Sequence, residues 1–99
     1  AQQGDKPGYD IEDRRNRQAI VGYEVKATTG SGFLYFDLTD NELRAAREMG
    51  ERYVLALVSN VKTDNPSLQF IQNPYKMIES GDLMARPVVH RIEMRRKED

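Results

Sequence analysis

Residues 53–61, YVLALVSNV, carry apolar side chains on both alternating faces over most of their length. Successive side chains of a strand point to opposite faces, so a strand of this kind has to be covered twice. The run predicts a central strand of a helix-flanked sheet, and the rest of the chain must supply its neighbours. The material is limited. With 99 residues, 38% hydrophobic and 31% charged, the chain suffices for one small domain with a thin core. A domain of this size buries only roughly 60–65% of the surface its unfolded chain exposes.

Local signals place those neighbours. Thr39-Asp40-Asn41-Glu42 predicts a helix start, with Thr39 as N-cap and Glu42 reaching back to close a capping box. Leu38 and Leu43 form the matching hydrophobic staple, Asp40 suits the first turn, and Gly50 stops the helix after Met49. Asn73-Pro74 predicts a second, short helix, with Pro74 at its first position, ending near Ser80-Gly81. Strands are predicted over 9–13, from 18 or 19 to 27, over 33–38 and 53–61, over 68–71, and over 88–94. Segment 1–8 reads as a linker or truncated end, 9–94 as the domain and 95–99 as a charged tail. The fold class is mixed α/β or α+β, a central sheet of about five to six strands with one main helix packed across it.

Along the 19–27 strand, Ala19, Val21, Tyr23, Val25 and Ala27 share one face, and Ile20, Gly22, Glu24 and Lys26 share the other. The first face is a packing face. The second puts a carboxylate and an ammonium on a half-buried strand, where charge is costly unless paired or metal-bound. On the preceding strand Asp10 and Glu12 share a face, and Tyr9, Ile11 and Asp13 the other. An odd-length loop centred on Asn16 or Arg17 sets Asp10 opposite Gly22 or Glu24, and a two-residue loop turns it to the packing face. In the first register Asp10 and Glu24, with the Val25 carbonyl, can hold Mg²⁺ (or Mn²⁺), and Lys26 can stabilise charge on a phosphate or help orient and deprotonate water. A solvated Glu–Lys pair gives the same pattern, and short motifs recur by chance.

Gly8-Tyr9-Asp10-Ile11-Glu12, Tyr23-Glu24-Val25-Lys26-Ala27-Thr28 and Phe36-Asp37-Leu38-Thr39-Asp40-Asn41-Glu42-Leu43 together resemble the NO VEIN C-terminal-like family. Gly50, Tyr53, the 54–61 run and Asn73-Pro74 continue the resemblance to about Pro87. That family in turn resembles the PD-(D/E)xK phosphodiesterases, the fold of type II restriction enzymes. The resemblance implies a Mg²⁺-dependent endonuclease domain with Asp10, Glu24 and Lys26 as catalytic residues and Asp10, Glu24 and Val25 at the metal. It further implies DNA as the substrate and a larger parent protein with ATPase or helicase modules, often in defence. The superfamily core usually begins with a helix and a strand ahead of its first Asp. Here only residues 1–9 precede Asp10, so the N-terminal helix is expected to be missing or truncated.

The remaining features are compatible with two functions. Fifteen Lys and Arg against sixteen Asp and Glu give a net charge of −1, so the direct electrostatic argument for nucleic acid is absent. Arg14, Arg15, Arg17, Thr28 and Thr29 can contact phosphates, or merely form a solvated hairpin tip and a connecting loop. Arg91, Arg95, Arg96 and Lys97 read as solubilising, His90 as structural or solvent-exposed, and Phe33, Tyr35 and Phe36 as core rather than base-stacking platforms. The alternative function is a non-catalytic module that binds nucleic acid or protein within a larger machine. The absence of cysteine suits a cytoplasmic setting, no apolar run reaches membrane-spanning length, and a homodimer is compatible with the sequence.

Overall fold

The computed structural model describes residues 7–88 and 91–95. Four strands form one open sheet in the order β1-β2-β3-β4: β1 Ile11–Asp13, β2 Val21–Ala27, β3 Tyr53–Ser59 and β4 Ser67–Gln72. β1 and β2 are antiparallel, β2 and β3 parallel, and β3 and β4 antiparallel. The helix α1, Asp40–Met49, makes the crossover between the parallel strands, and α2, Pro74–Ser80, follows β4. Among the described residues no helix is long and apolar enough to cross a membrane.

The helix signals act as the sequence predicts. The Thr39 side chain accepts from the Glu42 N–H at 3.1 Å, and the Glu42 carboxylate accepts from the Thr39 N–H at 3.0 Å. Both arms of the capping box are made. At α2 the Asn73 side chain accepts from the Lys76 N–H, with Pro74 at the first turn. Both helices contact β3, and the core holds Ala45 and Ala46 of α1 against Tyr53, Leu55 and Leu57.

β3 is buried on both faces, as its sequence predicts, but among the described residues helices cover one of them alone. On the other, Val54 and Ala56 pair with Tyr23 and Phe70 of the neighbouring strands. The Tyr23 and Phe70 rings meet edge to face at 6.2 Å, closing that side over the small β3 residues.

Two expected strands are not formed among the described residues, which leaves four instead of five to six. Residues 33–38 are irregular. Both edges of β2 are taken, by β1 and β3, so the segment that follows has no ladder to join there. Its apolar residues are also out of strand period: Phe33, Phe36 and Leu38 all pack on the core, while Leu34 and Tyr35 face solvent. In the expected 88–94 strand, Val88 and residues 91–94 are irregular, with Val88, Ile92 and Met94 exposed. Val89 and His90, like residues 1–6 and 96–99, lie outside the described residues, so the readings of His90, Arg96 and Lys97 do too.

Leu55 is fully buried at the centre of the core. Leu55→Ala is expected to lower the unfolding free energy by about 2–5 kcal/mol in urea denaturation, a large fraction of the stability of a domain this small.

Candidate functional site

The β1–β2 connection is wide, running from Arg14 to Ile20. Asn16 shapes it by accepting from the Gln18 N–H with its side chain and the Ala19 N–H with its carbonyl. The register pairs Ile11 with Tyr23 and Glu12 with Gly22, which centres the loop on Arg17 and sets Asp10 one step on, beside Glu24. This is one of the two odd-loop registers the sequence allows.

Asp10 precedes the strand, and three contacts hold it. Its backbone N–H donates to the Tyr23 carbonyl at 2.8 Å, and its carboxylate accepts from the Val25 N–H at 2.8 Å. Two residues earlier, the buried Tyr53 hydroxyl donates to the Gly8 carbonyl at 2.8 Å. Gly8 itself, with φ of 91°, presses on α1: a Cβ there would sit 2.7 Å from that of Ala45 and 2.8 Å from the Asn41 carbonyl oxygen. Only glycine fits both the conformation and the space. The resulting bend breaks strict alternation in the 9–13 segment. Tyr9, expected on the face of Ile11, lies instead over Gly22 on the helix side, and its hydroxyl donates to Glu12.

Glu24 and Lys26 project from β2 toward the helices. Glu24 is 3% exposed, and its Oε1 has no hydrogen-bond partner. Its Oε2 lies 3.3 Å from Lys26 Nζ. Burial, the charge of Glu42 and, more weakly, that of Asp10 outweigh Lys26 and push the Glu24 carboxyl up to about 7. Burial also works against the charge on Lys26, but Glu42 and Glu24 overcome it and raise the ammonium above its ordinary value. Lys26 is therefore a fixed cation here, suited to stabilising charge and unsuited to removing a proton. Tyr53 is pushed up as well, by burial and then by the charges of Glu24, Glu42 and Asp10.

Glu42 joins the site although the sequence marks it only as a helix-capping residue. Its Oε1 lies 3.3 Å from Lys26 Nζ while accepting the Thr39 N–H. A capping-box glutamate has an evident local role, which hides a second one. In the sequence Tyr53 likewise reads only as part of an apolar strand. Beside Lys26 opens a cleft of about 490 Å³, lined by Ala27, Thr28, Gly32 and residues 33–37.

The expected phosphate-contacting residues are divided. Thr28 lines the cleft, and its hydroxyl accepts from the Gly30 N–H. Thr29 is exposed in the same loop, and Arg17 is exposed at the hairpin tip. Arg14 and Arg15 are paired with Glu12 and Asp13 of their own hairpin. Among the described residues no group of three or more His, Cys, Asp or Glu side chains is placed to hold a metal ion. The carboxylates of Asp10 and Glu42 each accept a backbone N–H, from Val25 and Thr39 respectively.

A mixed four-stranded sheet with a crossover helix, and charged side chains gathered where the parallel pair meets that helix, defines the class of domain. The chain belongs to the family described as Protein NO VEIN, C-terminal, whose model matches residues 1–71. The matched stretch includes Asp10, Glu24, Lys26, Glu42 and Tyr53 and stops within β4, short of the expected limit near Pro87. Protein NO VEIN of Arabidopsis thaliana is 38% identical over 73 residues, covering 74% of this chain and 3% of that protein. The chain thus corresponds to a very small part of its curated relative. No solved structure matches it.

The Glu24 shift makes a pH-dependent prediction. In the folded chain the carboxyl holds its proton up to about 7, whereas unfolded it releases it near the ordinary 4.5. Between these values the folded state binds the extra proton, so stability falls as pH rises, and the contribution is lost once pH passes the folded value. Glu24→Gln removes this decline. In urea denaturation the variant is expected to exceed the parent by about 1–3 kcal/mol near pH 8, with a much smaller gap near pH 4.5.

Proposed function

We propose that this domain is a metal-dependent nuclease core that hydrolyses phosphodiester bonds in nucleic acid, with DNA the favoured substrate, as part of a larger DNA-processing or defence protein. The observation that carries this reading is Glu24, a buried carboxylate with one unpartnered oxygen and a carboxyl pushed up to about 7. An orphaned anionic oxygen is costly in a protein interior, and a hard divalent cation such as Mg²⁺ or Mn²⁺ satisfies it. Glu24 and Asp10 would hold the ion. The Val25 carbonyl suits the third position, because the N–H and C=O of a strand residue face the same edge. The Val25 N–H reaches Asp10, beyond the last β1 pair at Ile11.

Bound there, the cation supplies positive charge against a phosphodiester. The chain's own residues do the rest. Lys26, held as a cation, stabilises the charge that grows on the phosphoryl oxygens. The Val25 N–H and the Tyr53–Gly8 anchor hold Asp10 at the register position opposite Glu24. Thr28 and the cleft next to Lys26 offer a path for the nucleic-acid backbone. A restriction-endonuclease-like core is supported by Glu24-x-Lys26 on a strand with an antiparallel neighbour on one side and a helix-connected parallel one on the other.

A second reading has its own observation. Asp10 and Glu42 are engaged with backbone, and Arg14 and Arg15 with their own hairpin, as in a domain that binds nucleic acid or protein without cutting. Cleavage assays with Mg²⁺ or Mn²⁺ separate the two. The parent chain is expected to cut DNA, with Glu24→Gln and Lys26→Ala each lowering kcat by about 10²–10³. Binding without cleavage by the parent, or cleavage undiminished in both variants, would overturn the nuclease reading.

A further inference from the structure

Among the described residues Lys26 is the one basic residue in the cluster, and two carboxylates compete for it. Its Nζ lies 3.3 Å from Glu24 Oε2 and 3.3 Å from Glu42 Oε1. Those two acids are held differently. Glu24 Oε1 has no partner, so that oxygen has capacity left for a ligand. Glu42 Oε1 also accepts the Thr39 N–H at 3.0 Å, and the Glu42 N–H donates to the Thr39 hydroxyl at 3.1 Å. The capping box thus fixes both the backbone and the rotamer of Glu42, and Lys26 meets a carboxylate whose side-chain entropy is already lost. Ordinary surface pairs are weak partly because both long side chains must be ordered.

We propose that Glu42 is a positioning residue that takes a share of Lys26 from Glu24, leaving the Glu24 carboxylate more available to a divalent cation. The proposal rests on the metal-site reading above and adds to it a second function for the helix cap. Without the Glu42 charge, the ammonium falls to Glu24 alone and competes with the cation for it. Glutamine retains the capping role, because its side-chain oxygen also accepts the backbone N–H of the cap residue. Glu42→Gln therefore separates capping from positioning.

The test is Mn²⁺ binding, followed by electron paramagnetic resonance, in the parent chain, Glu42→Gln, Lys26→Met and the double variant. Glu42→Gln is expected to weaken Mn²⁺ binding about fivefold or more in the parent background and to have little effect in the Lys26→Met background. An equal loss in both backgrounds makes Glu42 a direct ligand or a mere source of negative charge, and overturns the proposal. No loss in either also overturns it. Thr39→Ala, which weakens the helix cap while leaving the Glu42 charge in place, is expected to lower stability but leave Mn²⁺ affinity within about twofold. A urea-denaturation cycle on Lys26→Met and Glu42→Gln reads the link without metal, with an expected coupling of about threefold or more in the folding equilibrium constant. Additive effects in that cycle overturn the proposal. A parent that binds no Mn²⁺ yet shows the coupling defeats the metal-site reading and supports the hold of Glu42 on Lys26.

Discussion

Parallel strands cannot be joined by a tight turn, and the pairing of β2 with β3 therefore obliges the chain to cross from the end of one to the start of the other. α1 makes that crossing, on the face that carries Gly22, Glu24 and Lys26. The helix must begin near the end where β2 finishes, so its capping box arrives beside Lys26. Tyr53, the first residue of β3, is delivered beside Gly22 by the same register, within reach of the Gly8 carbonyl. One topological requirement thus assembles three parts of the site from segments far apart in sequence.

The two faces of the sheet are closed by different means. Helices α1 and α2 cover Tyr53, Leu55 and Leu57, where side chains are large and the core is thickest. Val54 and Ala56 on the opposite face are small enough for the Tyr23 and Phe70 rings to meet above them. A chain with so little apolar material cannot supply a second layer of helices, and an aromatic pair from the flanking strands shields two small residues at far lower cost in chain length. The burial of β3 on both faces could therefore be read from its residues, but the nature of its cover could not. The same apolar run fits a helical layer or a pair of rings equally well.

Other differences between sequence and structure have similar causes. The start of α1 was legible because Thr39, Glu42, Leu38 and Leu43 act over one turn and need no partner elsewhere. The placement of Asp10 near Glu24 depended on loop length alone, and Asn16 fixes that length through its own turn. The 33–38 segment looked like a strand because Phe33, Tyr35 and Phe36 favour sheets, yet strand formation needs a free edge and β2 has none left. Propensity is local, whereas edge availability is a property of the assembled sheet. Tyr9 crossed to the helix side for a related reason: alternation holds only inside a ladder, and β1 begins at Ile11. Glu42 and Tyr53 are not legible in the sequence as site residues because each has a sufficient local explanation.

Charge is what makes this small cluster unusual. Asp10 and Glu42 bring two further carboxylates within electrostatic reach of Glu24, and Lys26 brings one ammonium. Two of the three can lower their energy without leaving the chain, since Asp10 has the Val25 N–H and Glu42 has the Thr39 N–H. Glu24 has only a share of Lys26, and burial denies it water. A structural salt bridge would spread its hydrogen bonds over both oxygens, because removing two charges from solvent is offset only when their remaining capacity is satisfied. Glu24 Oε1 does not meet that condition, and its carboxyl responds by holding its proton up to about 7. Replacing that proton with a divalent cation would supply the missing positive charge and the missing ligand in one step. On the metal-site reading proposed above, Glu24 is where such a counter-ion would sit.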